Sequence, residues 1–170
     1  MGSTRLILIC LLVSSSALSQ TLFVKDLTCE HKINPIGIDV AQPRFSWKIA
    51  GTGKNILQSA YSIRVGRDDK FSPATIIWQS GKTESGESIL QSYEGPKLKS
   101  GQRYFWQVKI WDNKGRESKW SEVAFLETGL LSQFDWKAKW IELEGDTLRY
   151  SPSPYFRKDF RAGKSIARAR

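Results

Sequence analysis

Cys29 and His31 are the residues whose types come closest to nucleophilic chemistry. The chain holds a single His, so a Ser/His/Asp triad would have to use His31. Residues two apart on an extended segment share a face, which keeps a thiolate–imidazole pair formally open. No orienting acid and no oxyanion loop accompanies the pair, and a loop or surface histidine is the favoured reading. Gly51-Thr52-Gly53-Lys54 resembles the end of a phosphate loop, but Lys48 stands at the first glycine position and Asn55 at the Ser/Thr position. One imidazole and two thiols give no zinc spacing. A carboxylate pair for sugar hydrolysis could hide among the 17 acids, yet none stands out. No catalytic, cofactor-binding or metal-ligating residue is assigned, and no cofactor is expected.

The aromatic residues offer a different chemistry. Seven Trp, eight Phe and five Tyr are many for 170 residues. Trp47 and Trp106 are in phase with aliphatic neighbours and read as core. Phe105 and Trp111 are out of phase with that face. They form either a stacking platform for a sugar ring or a patch that packs on a neighbouring domain, where Trp136 and Trp140 arrive. Docking is favoured, because a large apolar patch beside a short linker usually meets a partner.

Strands must position these side chains. Period-two alternation recurs at Phe45-x-Trp47-x-Ile49, Tyr61-x-Ile63-x-Val65 and, most clearly, Tyr104-x-Trp106-x-Val108-x-Ile110, with a short β-branched run at Thr75–Trp78 and a weaker segment at Ile89–Tyr93. Asp112-Asn113-Lys114-Gly115 turns the chain, and Trp120–Glu127 returns with Val123 and Phe125 on one face. No window sustains a period of 3.6. Leu98 stands six residues before Tyr104, the arrangement in which a sandwich-domain tyrosine turns its hydroxyl back onto the preceding corner. The pattern predicts an all-β, fibronectin type III-like or immunoglobulin-like sandwich over residues 20–129.

Both ends differ from this middle. Arg5, the apolar run Leu6–Val13 and Ala17-Leu18-Ser19 read as a signal peptide over residues 1–19, cut before Gln20. The apolar run is too short to span a bilayer, which takes about 20 residues. The expected location is therefore periplasmic or extracellular, with no membrane contact in the mature form. Cleavage removes Cys10, so Cys29 remains as a single thiol and no internal disulfide is expected. Cleavage also removes Arg5, which lowers the net charge from +9 to +8. Much of this charge sits in the tail, where Arg157, Lys158, Arg161, Lys164, Arg168 and Arg170 face only Asp159. A terminal excess of this kind reads as solvated charge, and no nucleic-acid partner is expected.

Residues 130–134 read as a linker. Asp135–Ile141 alternates again, Ser151-Pro152-Ser153-Pro154 is a spacer, and Tyr155–Phe160 is another strand candidate. Some forty residues carrying Trp136, Trp140, Phe156 and Phe160 cannot bury those rings alone. Residues 135–170 therefore read as the truncated start of a second β-domain. An arm folded back on the sandwich is the alternative.

Taken in order, the segments resemble the start of bacterial α-L-rhamnosidases. The resemblance is carried by Leu27-Thr28-Cys29-Glu30, Asn34–Asp39, Pro43-Arg44-Phe45-Ser46-Trp47, Gln58–Ile63 and Trp78–Lys82. It continues through Tyr104–Val108, Trp111-Asp112, Trp120-Ser121, Asp135–Ile141 and Phe156–Phe160. Glu142 departs from the Gly that the family often has after Trp-Ile. The resemblance implies a modular, inverting glycoside hydrolase that releases terminal α-L-rhamnose from plant glycans and glycosides. It also implies a catalytic α/α barrel with two acidic groups beyond position 170, so no catalytic residue carries over. The implied partners are that downstream catalytic domain and a rhamnose-containing carbohydrate. A free-standing carbohydrate- or protein-binding module, and a structural domain of another secreted enzyme, are the alternatives.

Overall fold

The computed structural model describes residues 21–141 and 155–165. The expected leader, the Pro-containing spacer at 151–154, Glu142 and the end of the tail lie outside the described residues. The described residues contain nine strands: β1 (Leu22–Cys29), β2 (Ile36–Ile38), β3 (Arg44–Gly51), β4 (Gln58–Gly66), β5 (Ile76–Gln79), β6 (Thr83–Glu84), β7 (Gln91–Ser92), β8 (Arg103–Asp112) and β9 (Ala124–Thr128). The fold is all-β, as the alternation requires. The described helical structure is one 3-10 turn at Gln133–Asp135.

Two sheets form. The smaller has the order β1-β3-β7, and the larger β2-β9-β8-β4-β5 with β6 also pairing to β4. The long central pair β4–β8 is antiparallel, with Ile63 opposite Val108 and Val65 opposite Trp106. β2 pairs in parallel with β9. One face of each sheet is apolar at every second residue, so the sheets close on each other. Phe45, Ile63, Val65, Trp106, Val108 and Ile110 are all essentially inaccessible. Phe45 of the small sheet stacks on Trp106 of the large one, with centroids 4.3 Å apart and rings 30° from parallel. Burying side chains of this size stabilises by roughly 1.5–3 kcal/mol each, so the core carries the sandwich, and the buried Cys29 is a free thiol within it.

The corner before β8 is built as Leu98 and Tyr104 require. Leu98 is buried, and Lys99 N–H donates to Tyr104 Oη at 3.0 Å. Gly101 sits at φ +66° with open space at its missing Cβ, and its N–H donates to Gly129 O. After β8, Gly115 takes φ +75° and donates to Asp112 O at 2.9 Å, closing the expected turn. The return segment differs in detail: regular pairing starts at Ala124, not Trp120. Ala124 and Leu126 enter the core, while Val123 is exposed and Phe125 lies on the outer face. Ser118 and Ser121 explain the delay. Their hydroxyls accept the Ile110 and Val108 N–H groups, taking acceptor places that strand carbonyls would otherwise fill.

The chain divides into two units, 1–136 and 137–170. In the second unit, the described residues 137–141 and 155–165 contain no strand. The alternation at Asp135–Ile141 and Tyr155–Phe160 has therefore not produced strands, because a strand is stable only when a neighbouring strand takes up its hydrogen bonds. Residues 130–134 are tied to the corner before β8. Ser100 Oγ accepts the Leu131 N–H at 2.9 Å and also bonds Asp135, and Leu131 packs against the core.

Candidate interaction face

β8 sends Arg103, Phe105, Lys109 and Trp111 to the outside of the large sheet, because their neighbours at even positions fill the core. Arg64 on β4 lies opposite Gln107. Its guanidinium donates to Gln107 Oε1, with Nε at 3.0 Å. The same guanidinium stands 4.4 Å from the Phe71 ring centroid and 4.2 Å from that of Trp120. Lys109 Nζ lies 5.1 Å from Trp120 and 5.0 Å from Trp111, and Lys82 Nζ lies 5.3 Å from Trp111. Phe71, Arg64, Trp120, Lys109, Trp111 and Lys82 thus alternate ring and cation across the sheet. Such contacts contribute about 0.5–1 kcal/mol each at exposed sites and more when desolvated. Burial lowers the Arg64 pKa, but a guanidinium stays charged throughout the working range. Lys109 also pairs with Glu117, whose carboxyl this lysine holds below the usual range.

Phe105 and Trp111 share this face but not a patch. Six residues of strand separate them by about 20 Å. Phe105 stands opposite Phe125, and Arg103 covers the Phe125 ring at 4.3 Å. Trp111 is half-buried beneath two lysines. Trp136 follows the 3-10 turn and is 54% exposed, and Trp140, in the second unit, is 93% exposed. The structure therefore brings Phe105 and Trp111 onto one sheet face without bringing them into contact.

The nucleophile reading fails on geometry. Cys29 ends β1 with its side chain in the core, and burial together with the nearby Glu30 carboxylate pushes the thiol up to about 12. His31 is exposed in the following turn at φ +65°. The two therefore do not share a face, because Glu30 and His31 both take positive φ and leave the extended backbone. Gly51–Lys54 ends β3 and opens the β3–β4 connection, where the Thr52 hydroxyl accepts the Thr21 N–H. Glu30 serves structure: it takes two hydrogen bonds from the Arg44 side chain and one from its N–H. Among the described residues no cluster of three or more His, Cys, Asp or Glu could hold a metal ion.

Two features of the fold leave no clear trace in the sequence. The cation–ring row was signalled by Arg103-x-Phe105-x-Gln107-x-Lys109-x-Trp111, but its other half comes from Arg64, Phe71, Lys82 and Trp120, which only the fold brings near. A cavity of about 700 Å³ beside the tyrosine corner carries Arg67, Lys97, Lys99 and Arg103 on its walls. These four are spread along the sequence and give no charge run.

Two face-packed sheets, a tyrosine corner and an outer face of paired cations and rings define an immunoglobulin-like sandwich module. The chain belongs to the family described as the Rha78A-like N-terminal immunoglobulin domain, which matches residues 24–132. It is 43% identical over 112 residues to an α-L-rhamnosidase of Streptomyces avermitilis, a match covering 66% of this chain and 11% of that protein. It is 41% identical over 136 residues to an α-L-rhamnosidase of Formosa agariphila, covering 78% of this chain and 14% of that protein. The S. avermitilis enzyme, solved in complex with L-rhamnose, superposes with a TM-score of 0.69 at 41% identity, over 72% of this chain and 12% of that one. The chain thus spans only a small part of the length of the curated relatives it matches.

Proposed function

We propose that this chain is the N-terminal, non-catalytic portion of a secreted α-L-rhamnosidase that removes terminal α-L-rhamnose from plant glycans and glycosides. In this reading the module is a spacer and docking scaffold, and its partner is the catalytic domain of the same polypeptide. The observation that carries it is the match of residues 24–132 to the N-terminal immunoglobulin domain of much longer rhamnosidases. Secretion rests on the charge, apolar run and small-residue order of residues 1–19. Phe105, Trp111, Trp136 and Trp140 are the residues proposed to meet the neighbouring domain.

The test compares the 170-residue chain with a polypeptide extended through the downstream reading frame, both given an aryl α-L-rhamnoside. The expected result is turnover by the extended polypeptide alone. Turnover at enzyme-like rates by the 170-residue chain, or none by the extended one, overturns the proposal. For the docking role, Trp111→Ala in the extended polypeptide is expected to lower its unfolding temperature and leave rhamnoside retention intact. Lost retention with unchanged unfolding would assign Trp111 to sugar stacking instead.

A further inference from the structure

The cavity beside the tyrosine corner has a built basic wall. Leu98 is buried between Lys97 and Lys99, which are both exposed, so the alternation of this short segment sends both lysines outward. The segment is held at four backbone points. Pro96 O accepts the Tyr93 hydroxyl at 2.9 Å, and Leu98 N–H donates to Ala41 O at 3.1 Å. Lys99 N–H donates to Tyr104 Oη, and Lys99 O accepts the Thr128 hydroxyl at 2.6 Å. Arg67 follows β4, with its N–H on Thr75 O at 2.9 Å. Ile76 and Ile77 supply apolar surface to the same cavity.

Three of the four cations on this cavity are not neutralised among the described residues. No carboxylate lines it among the described residues. Arg103 pairs with Glu127 at 3.0 Å, whereas Arg67, Lys97 and Lys99 form no ion pair among the described residues. Cations on a fixed backbone beside an apolar surface suit a ligand that carries carboxylates and also presents C–H faces. An oligosaccharide of uronic acids has both. A free inorganic anion would leave the isoleucines unused. A nucleic acid would look for an exposed ring to stack on, and the one ring in the lining, Tyr104, is buried with its hydroxyl engaged.

We infer that the Arg67/Lys97/Lys99 cavity is a binding site for acidic glycan, specifically uronate-containing oligosaccharide. The choice of a saccharide rests on the glycoside-hydrolase reading above, and the charge argument stands without it. The site would hold an acidic stretch of polysaccharide while rhamnose is removed elsewhere.

The test is affinity electrophoresis of the 170-residue chain in gels containing polygalacturonate, against gels containing its fully methyl-esterified form. Retardation is expected in the acidic gel only and is expected to weaken with added salt. Lys97→Gln with Lys99→Gln is expected to weaken association about twofold to thirtyfold, the range that two exposed ion pairs give. Arg67→Gln alone is expected to weaken it about twofold to threefold. The control, Lys54→Gln with Lys114→Gln, removes the same charge at two distant turns and is expected to retain binding. No retardation, equal retardation in the esterified gel, or equal loss in both double variants overturns the inference. Assay of the extended polypeptide on a neutral aryl rhamnoside reports the enzymatic reading separately, so either can fail without the other.

Discussion

Asp112 shows how one carboxylate can organise a turn. Its side chain is inaccessible, covered by Arg116 and by its own turn. It accepts the N–H groups of Lys114 at 2.9 Å and Arg116 at 2.8 Å, and the Arg116 guanidinium at 2.7 Å. Burial opposes its ionisation, but the Arg116 side chain and the two N–H groups outweigh burial and hold the carboxyl below its usual range. A carboxyl whose folded pKa is depressed adds stability above its unfolded value of about 4, and that contribution fades as pH falls from there through the folded pKa. Asp112→Asn is expected to cost about 2 kcal/mol at pH 7. The gap from the unchanged protein should narrow between about pH 5 and pH 3. Urea midpoints at pH 7, 5 and 3 check this, and a gap that widens on acidification contradicts it. Glu30 works in the same direction, because the Arg44 side chain lowers its pKa.

At the scale of elements, β8 does two jobs with one strand. Its even residues pack the core, and its odd residues build the cation–ring row with β4. Arg64 is the centre of that row, between Phe71 and Trp120 and bonded to Gln107. Arg64→Met keeps an apolar stem but loses the charge and the donors. It is expected to lower the unfolding free energy by about 1–2 kcal/mol. Arg64→Lys restores the charge without the planar fork and is expected to fall between the two. Equal denaturant midpoints for Arg64→Met and the unchanged protein would show that the row is ornament on a self-sufficient sheet.

For the whole molecule, the informative boundary is the one after β9. Ser100 ties Leu131 and Asp135 back to the sandwich corner, so the first unit extends to residue 136. Limited proteolysis is expected to remove the tail and leave a resistant core that starts near Gln20 and reaches the mid-130s. Ser100→Ala is expected to move the C-terminal cut back toward Leu130, with the core otherwise unchanged. Mass spectrometry of the resistant fragment reads this directly. Uniform digestion from end to end would contradict a sandwich, and an unchanged cut in the Ser100 variant would contradict the tether.

The sheet-forming middle, its core face and its corner are legible in the order of residues alone. Phe45, Trp47, Tyr104 and Trp106 are in phase with their strands, and a strand slipped by one residue would turn each core ring out to water. The ordered short motifs were enough to indicate the rhamnosidase family. Strand existence after Asp135 was not legible in the same way, because alternation states which side of a strand is apolar and not whether another strand lies beside it. The start of β9 escaped for a related reason, since Ser118 and Ser121 take up β8 hydrogen bonds from a distance that periodicity does not register. Which charges meet is set by the closing of the two sheets. Arg64 reaches Trp120 across 56 positions, and Arg67 shares a cavity with Lys97 and Lys99. Electrostatic contact depends on distance in space, and the chain order of a sandwich encodes that distance only after its sheets have closed.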